Sequence, residues 1–159
     1  WVQSGFLGRG GFSVVHKQHE KSSGLCRAVK TIDKSRMPTQ LDYSRELLVM
    51  ALLAKHPSLF VQFHGWFEQS QNLYIAMEYL EKGDLGKHIG EPLPQETVQT
   101  ITKQLLEGLS IMHKKGITHR DLKPENIFVV TMSPVWVKIG DFGIAKRVRD
   151  KDPTTLHTQ

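Results

Sequence analysis

The chain has 159 residues, 39% of them hydrophobic and 23% charged, the balance of a folded globular protein rather than a disordered segment. Its longest apolar run, Leu47 to Ala54, is too short to cross a bilayer, and Trp1 to Gly11 lacks the basic-then-apolar order of a secretory leader. The net charge of +5 is spread along the chain, with one modest cluster at Lys146, Arg147, Arg149 and Lys151 that reads as solvated loop rather than as a nucleic-acid site.

The single cysteine, Cys26, has no partner in the chain, which excludes a disulfide framework and fits a reducing compartment. The eight histidines show no metal-ligand spacing. A first residue of Trp rather than Met reads as a piece of a longer protein.

Taken in chain order, Gly5 to Gln18 alternates apolar and polar residues around a glycine cluster, Lys21 to Gly24 is a turn, and Leu25 to Ile32 is strand again. Thr39, three before Asp42 and just after Pro38, predicts a helix start, with the helix running to about Lys55. Strands follow near Phe60 to Phe67 and Leu73 to Tyr79, joined by the polar turn Gln69 to Asn72. From Glu81 onward the pattern turns helical. Val98, Ile101, Leu105, Leu109 and Met112 recur at three- and four-residue steps, a buried helical stripe that Gly116 ends. Short strands alternate with loops up to Phe142. A strand-rich part followed by a helix-rich part predicts two lobes joined near Tyr79 to Gly83.

Several stretches carry possible chemistry. Leu7 to Val15 is a glycine-rich turn between strands; without Cβ atoms a backbone can bring its N–H groups close to phosphate, although an ordinary hairpin has the same look. Ala28 and Lys30 point to one face of the next strand, leaving room for a flat base beside an ammonium, or simply a lysine in solvent. Tyr43, Glu46, Met50 and Leu53 share one helix face. A carboxylate there needs a partner, for which Lys30 is the natural choice, unless it reaches water at the edge of the stripe.

His119-Arg120-Asp121-Leu122-Lys123-Pro124-Glu125-Asn126, followed by Asp141-Phe142-Gly143, completes an ordered set with the glycine turn, Ala28-Val29-Lys30 and Glu46. With that set the chain resembles the protein kinase family, and Leu122 to Asn126 resembles its Ser/Thr branch; within that branch the sequence as a whole is similar to the calcium/calmodulin-dependent and checkpoint-like group. The resemblance implies an α+β, bilobal fold. Residues 1–80 would hold a five-stranded sheet and one helix, and residues 81–159 a partial, mainly helical lobe with two helices, the catalytic loop and the start of the activation segment.

The resemblance also implies roles. Gly8, Gly10, Gly11, Ser13 and Val15 would cover the phosphates of ATP, and Val15 and Ala28 would lie over the adenine. Lys30 would hold the α- and β-phosphates and pair with Glu46. Met77 would be the gatekeeper, with the backbone of Glu78 and Leu80 on the adenine edge, Asp84 at the ribose and Phe128 beneath the base. Asp121 would take or orient the acceptor proton, Lys123 would neutralise the transferring group, and Asn126 and Asp141 would hold Mg2+. Phe63, Met50, Phe142 and His119 match the family's stacked hydrophobic spine. Arg120 would meet a phosphorylated residue among Thr154, Thr155 and Thr158, placed there by an upstream kinase.

The implied activity is γ-phosphoryl transfer from ATP to Ser/Thr hydroxyls of a protein substrate, in the cytoplasm or nucleus, with neither nucleic acid nor membrane as partner. The chain reaches Gln159 without the family's Ala-Pro-Glu motif, so these residues alone are expected to be poorly active. An ATP-binding scaffold without transfer activity is the competing reading, and a kinase acting on small molecules is a third. The scaffold is disfavoured by the complete set Lys30, Asp121, Asn126 and Asp141, and the small-molecule kinase by the intact run from His119 to Asn126.

Overall fold

The computed structural model of the protein describes residues 1–11, 13–36, 43–143 and 146–147. The expected helix cap at Thr39 and Asp42, Phe12 of the glycine turn, Arg149, Lys151 and the candidate phosphate acceptors Thr154, Thr155 and Thr158 lie outside them. Two compact units emerge: Trp1–Asp42 with Val61–Glu81, and Tyr43–Phe60 with Lys82–Gln159.

The period-two patterns of the first unit become five antiparallel strands: β1 Val2–Arg9, β2 Ser13–His19, β3 Cys26–Asp33, β4 Phe63–Gln69 and β5 Asn72–Glu78. They pair in the order β1-β2-β3-β5-β4. β3 and β5 are the central strands and carry the sheet's apolar weight. Val29 is 1% exposed, and Leu73 and Ile75 are fully buried. Burial of each such side chain stabilises the fold by about 1.5–3 kcal/mol before entropy is counted. The register sets Ala28 opposite Met77 and Lys30 opposite Ile75, with Val15 on the other side of Lys30. β1 is an edge strand, and its Phe6 stays 64% exposed.

The second unit is built on two α-helices and a β-hairpin. Helix α1, Tyr43–Leu53, buries Glu46, Leu47, Val49, Met50 and Leu53 and leaves Leu48 exposed. It ends two residues before the expected Lys55. Strand β4 begins at Phe63, not Phe60; Phe60 instead forms a parallel bridge to Ile139, and Leu59 O accepts from Ile139 N at 2.8 Å. These bonds explain why residues 43–60 group with the second unit, whereas the sequence alone placed them with residues 1–80.

The expected helix just after Glu81 is a short 3-10 turn, Leu85–His88. Helix α2, Gln95–Lys114, follows. Its stop is as expected: Gly116 has φ of +67°, a left-handed backbone that glycine takes without Cβ strain. β6 Ile117–Thr118 pairs with β9 Lys146–Arg147, and β7 Ile127–Met132 with β8 Val135–Ile139.

The α2 stripe packs on the β7–β8 hairpin through Ile101, with Leu85, Ile127, Val129 and Val137, and with Leu105 partly buried beside them. The packed stripe is one turn shorter than the spacing predicts. Val98 is 47% exposed, and the packed surface begins at Ile101. Gly108 is buried in the same face because it has no side chain: a Cβ there would stand 2.7 Å from Ile139 Cδ1.

Candidate catalytic loop and nucleotide-binding residues

In the first unit the glycine turn closes through Gly10 N donating to Ser13 O at 2.8 Å, and a Cβ on Gly10 would meet Ser13 Oγ at 2.9 Å. Gly8 and Gly11 have open space around their missing Cβ positions. Ala28 is buried and Lys30 half-buried on the sheet face they share with Met77 and Ile75. Glu78 N donates to Gln62 O at 2.9 Å, and its carboxylate accepts from Gln62 N at 3.1 Å. That N–H is therefore committed, so any backbone contact of Glu78 to an adenine edge has to use its carbonyl. Leu80 follows two residues later, half-buried, beyond the end of β5.

The second unit holds the loop between β6 and β7. His119 is 2% exposed. Its Nε2 donates to Gly140 O at 3.0 Å, and its Nδ1 accepts from Asp121 N at 3.3 Å. One nitrogen donates and the other accepts, which selects the Nε2–H tautomer. The ring also packs edge-on against Phe142 at 5.5 Å, and Phe142 lies 6.1 Å from Phe60. His119 and Phe142 of the expected spine are thus in contact within this unit, and Met50 is buried in the same unit at 4% exposure.

Asp121 is the centre of the loop's polar contacts. Asn126 Nδ2 donates to Asp121 O at 2.8 Å and to Asp121 Oδ2 at 3.0 Å. Lys123 Nζ reaches the same Oδ2 at 3.0 Å. The hydrogen bond from Lys123 holds the Asp121 carboxyl below the usual carboxylate range, with that ammonium's charge and the Asn126 bond adding to it against the cost of desolvation. The same contact raises Lys123 above the ordinary ammonium value. A 3-10 turn, Pro124–Asn126, places the asparagine, and Gly140 N donating to Asn126 O at 2.9 Å ties this loop to the end of β8.

Asp141 follows Gly140 directly and has φ of +54°; Arg120 has φ of +67°. A left-handed backbone costs most residues with a side chain about 1–2 kcal/mol, so the surrounding bonds have to hold Arg120, whereas the short polar side chain of Asp141 tolerates it better. With Nδ2 committed to Asp121, the Asn126 amide keeps Oδ1 as its oxygen donor, and Asp141 supplies a carboxylate one residue beyond the Gly140–Asn126 bond. Two oxygen donors suit Mg2+, which takes few protein ligands and relies on phosphate and water for the rest. Among the described residues no cluster of three or more His, Cys, Asp or Glu could hold a metal ion.

Asp84 forms an ion pair with Lys87 at 3.1 Å and a backbone bridge to Phe128. Phe128 is half-buried and points to the face of β7 opposite Ile127 and Val129.

One residue outside the expected set bears on this loop. Gln104 Nε2 donates to Val135 O at 2.9 Å, and Gln104 Oε1 accepts from Val137 N at 2.9 Å. The sequence signal was a polar residue on the packed face of α2, three after Ile101 and four before Gly108, a position that is costly unless hydrogen-bonded.

This fold, and a His-Arg-Asp loop closed on Asn126 and bonded to the residue before Asp141, are those of a kinase catalytic domain. The chain belongs to the protein kinase domain family, whose profile it matches over residues 1–159. It is 37% identical over 143 residues to serine/threonine-protein kinase RAD53 of Saccharomyces cerevisiae, covering 88% of this chain and 17% of that protein. It is 39% identical over 150 residues to serine/threonine-protein kinase cds1 of Schizosaccharomyces pombe, covering 88% of this chain and 32% of that protein. It is 39% identical over 149 residues to myosin light chain kinase 3 of Danio rerio, covering 92% of this chain and 21% of that protein. The chain therefore spans less than a third of the length of each of these three relatives.

Proposed function

We propose that this chain carries the ATP- and Mg2+-handling machinery of a protein serine/threonine kinase, which moves the γ-phosphoryl group to Ser/Thr hydroxyls of a protein substrate. The observation that carries the reading is the convergence of Lys123 and Asn126 on one oxygen of Asp121, in a loop bonded through His119 and Asn126 to the residue preceding Asp141.

The chemistry follows from that arrangement. Phosphoryl transfer has a loose transition state, so a protein contributes positioning and charge rather than covalent bonds. Among the described residues Asp121 Oδ2 is occupied and Oδ1 has no partner. Oδ1 is the atom that would take or orient the acceptor hydroxyl proton. The lowered carboxyl keeps Asp121 ionised at neutral pH. Lys123 would swing its ammonium between Asp121 and the transferring group. Asn126 Oδ1 and the Asp141 carboxylate would hold Mg2+, which when bound neutralises phosphate charge. Lys30 would hold the α- and β-phosphates with Glu46 as its partner, under the glycine turn Gly8 to Val15. Ala28, Met77, Glu78, Leu80, Asp84 and Phe128 would receive the nucleoside.

The proposed partners are a protein substrate with a Ser or Thr acceptor and an upstream kinase acting on the activation segment, in a cytoplasmic or nuclear setting. Among the described residues no helix is long and apolar enough to cross a membrane.

Calorimetry with ATP and Mg2+, with transfer assayed on a Ser/Thr peptide by the full-length protein, tests this. Lys30→Met and Asp141→Asn should keep the wild-type circular dichroism spectrum and lose about a hundredfold or more in transfer; asparagine tolerates the left-handed backbone at position 141. Full transfer in both variants would overturn the reading. Nucleotide binding with no transfer by the wild-type full-length protein would favour the scaffold alternative.

A further inference from the structure

β8 delivers Asp141 to its place, and each of its edges needs an account. One edge pairs with β7 along Ile127–Met132. On the other edge, among the described residues, the backbone is met by Gln104 at Val135 O and Val137 N and by Leu59 O at Ile139 N. The Gln104 amide donates and accepts two residues apart on the same strand, as the N–H and C=O of one residue on a neighbouring parallel strand would. It therefore ties α2 to β8, the strand that leads into Gly140.

Gly140 in turn is bonded on both its polar groups. Its O accepts from His119 Nε2, and its N donates to Asn126 O. A shift of β8 along or away from α2 would move Gly140 against these bonds and Asp141 with it.

We propose that Gln104 is a positioning residue for the metal-bearing carboxylate, setting the placement of Asp141 from α2 through β8. The proposal rests on the reading that Asn126 and Asp141 hold Mg2+. Gln104 touches neither nucleotide nor metal; it acts through the strand.

The test titrates a non-hydrolysable ATP analogue into the full-length protein over a series of Mg2+ concentrations. Gln104→Met keeps the length and apolar stem of the side chain but removes both bonds. Gln104→Glu keeps an acceptor for Val137 N and sets a carboxylate against Val135 O. The Mg2+ concentration needed for half-maximal analogue binding should rise about tenfold or more in Gln104→Met, the scale for groups behind a metal ligand. It should rise less in Gln104→Glu, which also serves if the first variant does not fold. Binding of the analogue without Mg2+ should be unchanged in both.

Ile101→Ala, in the core beside Gln104, serves as the control: it should lower the melting temperature yet leave the Mg2+ dependence at the wild-type value. An unchanged Mg2+ dependence in folded Gln104 variants would overturn the proposal while the kinase reading stands. An equal rise in Ile101→Ala would also overturn it, since loss of stability alone would then suffice. Absence of Mg2+-dependent analogue binding in the wild type would bring down the kinase reading itself, and this proposal with it.

Discussion

At the scale of single residues, Asp121 and Lys123 set the pH behaviour of the loop. The Asp121 carboxyl is lowered in the folded chain, so its contribution to stability is complete above the ordinary carboxyl range and is lost as pH falls through the lowered value. Lys123 is raised, so its contribution is complete below the ordinary ammonium value and is lost as pH rises through the raised one. The pair therefore holds across the neutral range. With side chains 49% and 36% exposed, it is also open to screening by salt. Lys123→Met should move the titration of Asp121 upward, read from the carboxyl carbon by NMR, and the acid limb of the activity profile should move the same way. An Asp121 titration unmoved by the substitution would show that Lys123 does not set its charge. These residues were legible in the sequence through the resemblance of the run His119 to Asn126 to the kinase catalytic loop. The commitment of Glu78 N–H to Gln62 O was not, because no residue pattern reports which backbone donors are already spent.

At the scale of elements, α2 was legible from its periodicity and from Gly116, yet the face it packs was only partly so. Hydrophobic spacing marks a stripe but not where the opposing surface begins, so it assigns Val98 to a core that starts at Ile101. The same spacing passes over Gly108, whose importance lies in an absent side chain. Ile139 Cδ1 fills the place its Cβ would take, and Phe60 ring atoms stand 3.7 Å away. Gly108→Leu should therefore destabilise the protein by about 1–3 kcal/mol through overpacking. Gly108→Ala should come out near neutral, since about 1 kcal/mol of helix propensity offsets the displacement of one flexible methyl. Urea denaturation of both variants checks this; equal stability of the two would mean that α2 and β8 do not meet as closely as described. A second long-range contact joins β8 to the turn after α1: the indole Nε1 of Trp136 donates to Ser58 O at 2.6 Å. Trp136→Phe removes one partly exposed hydrogen bond and should cost about 0.5–1.5 kcal/mol by the same assay. No cost would place that bond among contacts that water replaces without loss.

At the scale of the whole molecule, sequence order and spatial grouping part company. Residues 43–60 precede β4 in the chain but pair with β8 through Leu59, Phe60 and Ser58, a long-range choice that local propensity cannot announce. Within each unit, burial is graded rather than uniform, and amide exchange should follow the grading, because local opening ranges from nearly free at exposed edges to the full unfolding energy in the core. In the first unit β3 and β5 should exchange slowest, with Val29, Leu73 and Ile75 at 1% exposure or less, while β1, bonded only to β2 and with Phe6 and Leu7 exposed, should exchange first. In the second unit the slow amides should be those of β7, β8 and the C-terminal half of α2, around Val129, Val137, Ile139 and Met112, all 2% exposed or less. The stretch from Ile89 to Leu93, largely exposed and without a helix or strand of its own, should be the fast one there. Mass-spectrometric exchange resolved by peptide measures both orders at once. Protection of β1 equal to that of β5 would mean that the sheet opens as one cooperative block, and that graded burial does not govern its opening.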